Sequence, residues 1–275
     1  MIVLVVLFFG LALNAADVVT RPFVGVTHTH RAALGLHVVS VDLRARGIRV
    51  TLSGPGGTRE TIRRTTPDFM ESVGAQVAIN AHFFLPYPSE EADADVIGLA
   101  ASEGVVYSWF ERPTQAYALV AAAPAIHIDR FNRASVIDDA WPGVLWTAVA
   151  GSAQIVTGGR VTIPAYAPLG ALTPGEYTNT RSWYAVRTAR TVIGLSRDRR
   201  RLVLVTAEKM DLPALAAVLV RDFGVYEALN LDGGGSTTLA MENGRTGVGE
   251  VLNSPTGGRP RRVASSLAVF AARRR

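Results

Sequence analysis

Apolar residues along most of this chain fall at alternate positions in short runs separated by turn residues, the signature of strands with one buried face. His37 to Leu43 alternates into Ile48 to Leu52 across a basic turn at Arg44 to Gly47. Further strand-like runs are Gln76 to Ile79, Val96 to Leu99, Val105 to Ser108, Ala116 to Val120 and Ile126 to Ile128. Two hairpins are expected: Gln154 to Val156 with Arg160 to Ile163 around T-G-G, and Thr191 to Leu195 with Leu202 to Thr206 around S-R-D-R-R-R. Helical spacing is rarer. Thr66 can cap a short helix that Pro67 opens and Gly74 closes. A longer one is expected from Leu212 to Asp222, with Asp211 as cap, Pro213 in the first turn, apolar residues at 212, 215, 216 and 219, and Gly224 beyond the end. That helix followed by the strand Ala228 to Leu231 makes a strand–helix–strand unit. Strands nevertheless outnumber helices, so the pattern points to an α+β fold, a single domain with a twisted mixed β-sheet and a few packed helices. Pro164 to Arg187 is the longest stretch without periodicity, a length of loop that tends to be functional or disordered.

Composition adjusts this picture in three places. Met1 to Ala16 is a run of about a dozen apolar residues ending in small ones, too short to span a bilayer comfortably and suited to a signal-peptide core. An exported protein (periplasmic, cell-envelope or extracellular) is therefore expected, with residues 17–275 as the mature domain and no stable membrane span after the leader is removed. The absence of cysteine excludes disulfides and thiolate metal sites, leaving oxygen and nitrogen groups to do the chemistry. The net charge of +5 comes from scattered arginines, with Lys209 the one lysine. Without a basic stripe, nucleic acid is not expected as a partner. The run Arg273 to Arg275 reads as a solvated tail.

The candidate chemistry centres on A-L-N-L-D-G-G-G-S-T-T-L, Ala228 to Leu239. A buried-looking strand delivers Asp232, then the unshielded backbone of Gly233, Gly234 and Gly235, then the hydroxyls of Ser236, Thr237 and Thr238. Such a nest suits a phosphate or a cluster of sugar hydroxyls. The plainer reading is an Asp-Gly turn between two strands. The stretch matches neither a nucleotide P-loop nor a dinucleotide fingerprint. I-N-A-H-F-F, Ile79 to Phe84, places Asn80 and His82 at the end of another apolar strand, where they must find hydrogen-bond partners or line a cavity. His28 and His30 have the spacing of two ligands on one strand face, with no third in view, and no cofactor or metal is expected. Arg190 precedes an apolar strand, and its forked guanidinium matches a phosphate.

Together with A-V-A-G-S-A-Q-I-V-T-G-G-R-V, A-R-T-V-I-G-L-S-R-D-R-R-R-L-V-L-V and N-S-P-T-G-G-R-P-R-R-V-A-S-S-L-A-V-F, these stretches occur in the order and spacing of one family. The chain resembles the phosphodiester glycosidase domain over roughly residues 37–270. The resemblance implies hydrolysis of the bond between a sugar anomeric carbon and a phosphate oxygen, with a sugar phosphate or glycan, of the envelope or an exopolysaccharide, as substrate. Residue by residue, it implies Asp232 and Arg190 as catalytic groups. It implies substrate or phosphate contacts from Asn80, Gly233, Gly234, Gly235, Ser236, Thr237 and Arg261, and aligns Gly151 with the glycine before a short hairpin. Two positions depart from the family. His82 stands where many members carry glycine, and Glu208 with Lys209 replaces an Asp-Gly pair; either His82 or Glu208 could supply a second proton-transfer group. A phosphate monoester leaves more readily than an alcohol, so less is asked of a general acid and more of groups that take up charge on the phosphate. The competing reading is a non-catalytic envelope protein that binds phosphate-linked polysaccharide. A metal-dependent phosphodiesterase is disfavoured for want of a ligand set with recognisable spacing.

Overall fold

The computed structural model describes residues 17–110, 124–163 and 183–274. The expected leader, the run Ala116 to Val120 and most of the Pro164 to Arg187 stretch lie outside them. The molecule is mostly β, and every strand pairing is antiparallel among the described residues. This corrects the expected α+β fold with one mixed sheet and several packed helices: the described residues form several sheets and two α-helices.

The largest sheet has eight strands, in the spatial order Val18–Phe23, Val26–Arg31, Leu36–Asp42, Arg201–Met210, Thr188–Ser196, Val225–Leu231, Ala153–Thr157 and Arg160–Val161. A five-stranded sheet orders Gly249–Val251, Leu239–Glu242, Val77–Asn80, Ser266–Phe270 and Arg49–Leu52. A second five-stranded sheet is built around Thr147–Ala150, and a small one joins Thr61–Ile62, Asp93–Val96 and Phe84–Leu85. The main core lies between the sheets: Val39, Ile193, Leu204 and Leu231 from the large sheet meet Leu52, Ile79, Leu239 and Leu267 from the five-stranded one. Alternation along each strand sends the other set outward, where Val192, Val203 and Val205 pack under helix α2 (Leu212–Phe223). Helix α1 (Thr66–Val73) covers the far face of the smaller sheet, with Phe69 and Met70 on Ala78, Ala240 and Ala268.

Both helices end at the expected glycines, and α2 also begins at its expected cap. Asp211 Oδ1 accepts the Ala214 N–H at 2.8 Å, and Gly224 closes α2 in the left-handed conformation. In α1 the cap is Thr65, one residue earlier than expected: its hydroxyl accepts the Asp68 N–H at 3.2 Å. Both expected hairpins form. The alternating runs around Arg44 to Gly47 do not pair with each other, because Leu36–Asp42 belongs to the large sheet and Arg49–Leu52 to the smaller one.

Candidate active site

Asp232 stands where the chain leaves the large sheet after Val225–Leu231 and crosses to Leu239–Glu242 in the smaller sheet. The D-G-G-G-S-T-T stretch is therefore the corner between two sheets. Gly234–Ser236 forms one 3-10 turn, with Ser236 N–H bonded to Gly233 C=O and Thr237 N–H to Gly234 C=O, both at 3.2 Å. Gly234 adopts φ +59°, and a Cβ on Gly233 would come within 2.8 Å of the Ala189 carbonyl oxygen, so the corner depends on glycine.

Asn80 ties the corner down from the facing sheet. Its Nδ2 donates to the Asp232 carbonyl at 2.7 Å, and its Oδ1 accepts the Thr238 N–H at 3.0 Å and the Thr191 hydroxyl at 2.9 Å. Asp232 N–H bonds to Ala81 C=O at 3.0 Å, and Asn253 bonds both to Leu239 N–H and to Thr237 C=O. Asn80 and Thr237 are thus buried structural partners of the corner rather than parts of its open surface.

The corner opens onto a pocket of about 360 Å³. Asp232, the three glycines, Ser236 and Arg261 form one wall, and Phe83, Phe84, Leu85, Tyr87 and Ile97 the other. Arg261 Nη1 lies 3.4 Å from Ser236 Oγ, its guanidinium rests 5.0 Å from the Tyr87 ring centre, and Gly235 leaves the room it occupies. Asp232 keeps a partly open face, yet burial of its carboxyl pushes its pKa up to about 7; the Ser236 hydroxyl, Arg261 and the Gly233 N–H pull the other way without prevailing. A group at that value exchanges a proton near neutrality, as general acid–base work requires.

The other expected residues lie elsewhere. Arg190 is buried on the α2 face of its strand, where Nε donates to Met210 C=O at 3.2 Å and Nη2 to Val186 C=O; burial lowers its pKa to about 10. His82 is enclosed, with Nδ1 2.8 Å from Ser265 Oγ and Nε2 2.9 Å from Leu99 C=O and 3.1 Å from Ala150 N. Burial lowers its pKa to about 4, so it packs as a neutral ring. Glu208 accepts the Ser254 N–H at 3.0 Å and is outside the pocket wall. His28 and His30 do meet a third histidine, His37: its Nδ1 lies 3.1 Å from His28 Nε2, and both rings lie parallel to it at centroid distances of 5.3 and 4.1 Å. Among the described residues no cluster of three His, Asp or Glu side chains is arranged to hold a metal ion. Tyr87 had no signal in the sequence beyond its place in a proline-flanked loop.

The phosphodiester glycosidase family matches this chain over residues 73–270. Comparison with curated proteins finds no match. Among solved structures, the fold is similar to the catalytic domain of zebrafish N-acetylglucosamine-1-phosphodiester alpha-N-acetylglucosaminidase, auto-inhibited by its pro-peptide. That likeness has a TM-score of 0.64 and 18% identity over 95% of this chain and 85% of that one. A hypothetical protein from Synechocystis is similar with a TM-score of 0.59 and 14% identity, over 90% of this chain and 62% of that one. A protein of Burkholderia pseudomallei K96243 gives 0.55 and 14%, over 89% and 74%. With the family match spanning most of its length and the D-G-G-G-S corner lying within the matched region, this chain belongs to the phosphodiester glycosidase family.

Proposed function

We propose that this protein is an exported hydrolase that cleaves the C1–O bond of a glycosyl-1-phosphodiester in an envelope or extracellular glycan. The family indicates phosphodiester glycosidase activity. The observation that carries the finer reading is the placing of the Asp232 carboxyl and the Arg261 guanidinium in one aromatic-walled pocket, across a corner of bare glycine backbone. The sugar takes the aromatic side, and its phosphate lies against Arg261 and the glycines. Water attacks C1 while the C1–O bond breaks, its electron pair leaving on the phosphate oxygen. The diester monoanion becomes a monoester dianion, and Arg261 with the nest takes up the added charge. Asp232, as the carboxylate, accepts the proton of the attacking water and passes it to solvent. Among the described residues it is the one carboxyl in the pocket wall, which suits a leaving group that needs no strong acid. Export rests on the leader-like start of the chain.

The test is hydrolysis of a panel of sugar-1-phosphodiesters by the purified protein beside Asp232→Asn. Release of free sugar is expected, reduced about a thousandfold in the variant, the scale of a lost acid–base group. In the wild type, kcat/KM is expected to fall tenfold per pH unit below about 7 as Asp232 takes up its proton. An Asp232→Asn variant of full activity would refute the role of Asp232. Binding of the panel without turnover would identify a glycan-binding protein instead.

A further inference from the structure

A second cavity, of about 490 Å³, adjoins the first and shares Phe84, Tyr87 and Arg261 with it. Its remaining wall comes from two loops that the fold holds firmly. On one side, Arg63 is buried and donates to the carbonyls of Pro86, Ser89 and Asp93 at 2.7, 2.8 and 3.2 Å, which shapes the loop that carries Tyr87. On the other side lies N-S-P-T-G-G-R-P-R-R, Asn253 to Arg262. Glu208 anchors its start through the Ser254 N–H, and Arg262 anchors its end through two bonds to Arg63 C=O. Gly257 and Gly258 turn it at φ +88° and +80°, and the Thr256 hydroxyl reaches Gly234 C=O at 3.5 Å. This explains why the loop is written with two glycines: it must fold back to present its arginines beside the nest.

The cavity is lined by four arginines against two glutamates. Arg63 is buried and gives one N–H from each of its three nitrogens to a carbonyl, Arg262 bonds to the Arg63 carbonyl, and Glu91 is paired with Arg59 at 3.1 Å. Arg259 has no ion pair among the described residues and lines this outer cavity but not the inner pocket. Arg261, at the junction, belongs to the bridging phosphate on the reading above. Arg259 is then a second cation, set one group further along the substrate.

We propose that the outer cavity is the subsite for the leaving side of the substrate, that it takes a saccharide bearing its own anionic group, and that Arg259 is the residue selecting for that charge. This rests on the sugar–phosphate assignment of the inner pocket. The chemistry required is an anion on the leaving saccharide, either a second phosphate or a uronate carboxylate.

The test compares three sugar-1-phospho-saccharides whose leaving saccharide is neutral, phosphorylated or a uronate, on wild type, Arg259→Ala and Arg259→Lys. Wild type is expected to prefer an acidic leaving saccharide over the neutral one by about tenfold in kcat/KM, the scale of one charge-assisted contact. That ratio is expected to fall toward one in Arg259→Ala, to persist largely in Arg259→Lys, and to shrink with added salt. Whichever acidic saccharide shows the larger ratio identifies the anion. A wild-type ratio near one, or a ratio unchanged in Arg259→Ala, overturns the proposal while leaving the hydrolase reading intact. If nothing is turned over, the hydrolase reading fails. The subsite is then decided by the dissociation constants of non-hydrolysable phosphonate analogues with the same three saccharides, where the same ratio and the same loss in Arg259→Ala are required.

Discussion

Asp232 and Asn80 have opposite relations to stability, although both sit at the ends of buried strands. The folded protein raises the Asp232 pKa to about 7, well above its value in the unfolded chain. The folded state therefore holds the proton more tightly. Stability from this group is full below pH 4 and declines as pH rises toward 7, where a charge must be kept in a poor solvent for it. Asp232→Asn is expected to raise the melting temperature at pH 8 more than at pH 4, by thermal unfolding at both values; an equal change at both would show that the carboxyl is not strained. Asn80 satisfies a carbonyl, an N–H and a hydroxyl at once. Asn80→Ala leaves those groups buried without partners, at a cost of about 2–4 kcal/mol by denaturant unfolding. A loss below about 1 kcal/mol would mean that water replaces the amide.

At the scale of elements, the glycine-rich corner is the place where one chain passes between two facing sheets, and Gly235 within it does different work from Gly151, which packs on the strand leading into it. A Cβ on Gly151 would meet the Asn230 carbonyl oxygen at 2.5 Å, backbone that cannot give way. On Gly235 it would meet the Arg261 Nη2 at 2.2 Å, the far end of a flexible side chain. Gly151→Ala is therefore expected to cost about 1–3 kcal/mol of stability, the usual price of overpacking. Gly235→Ala is expected to leave the melting temperature within a few degrees of wild type while raising KM for the phosphodiester, because the guanidinium is pushed off the phosphate position. Activity and thermal unfolding measured side by side distinguish the two; an equal loss of stability in both would contradict the difference.

Over the whole molecule, acid is the weakness. His28, His37 and His82 each have a pKa lowered to about 4 by burial, with His30 contributing at the first two. In the unfolded chain they take up protons near pH 6.5. Their contribution to stability is present above pH 6.5 and is lost as pH falls to about 4. Asp232 works in the opposite direction over much of that range, but three groups outweigh one. The melting temperature is expected to fall between pH 7 and pH 4.5, and His37→Gln to flatten the fall; a rise on acidification would refute this balance. The stacked histidines lie at the edge of the main core, with His37 directly across from Thr206 in the large sheet.

Local patterns were legible from the sequence alone, because capping, turn chemistry and alternation are decided within a few residues. Both helices, both hairpins and the Asp232 corner follow from them, and so does the placing of Arg261 near the glycines through the family resemblance. What the sequence could not decide was which strands pair and which way a side chain faces. Arg201–Met210 and Val225–Leu231 do run parallel, as their linking helix implies, but Thr188–Ser196 lies between them and pairs antiparallel with both, so no mixed sheet results. Arg190 and Thr191 are neighbours in sequence, yet the pleat sends Thr191 to Asn80 between the sheets and Arg190 to the α2 face, away from the pocket. His82 and Glu208 were drawn off by partners distant in sequence, Ser265 and Ser254. The outer cavity exists only because two loops, centred near residues 88 and 258, meet across Arg63. The sequence by itself determined the pieces and the acid at the corner, since these depend on short-range backbone preferences. Only the tertiary structure decided which charges share a pocket, since that depends on sheet order and register set by the packing of the whole chain.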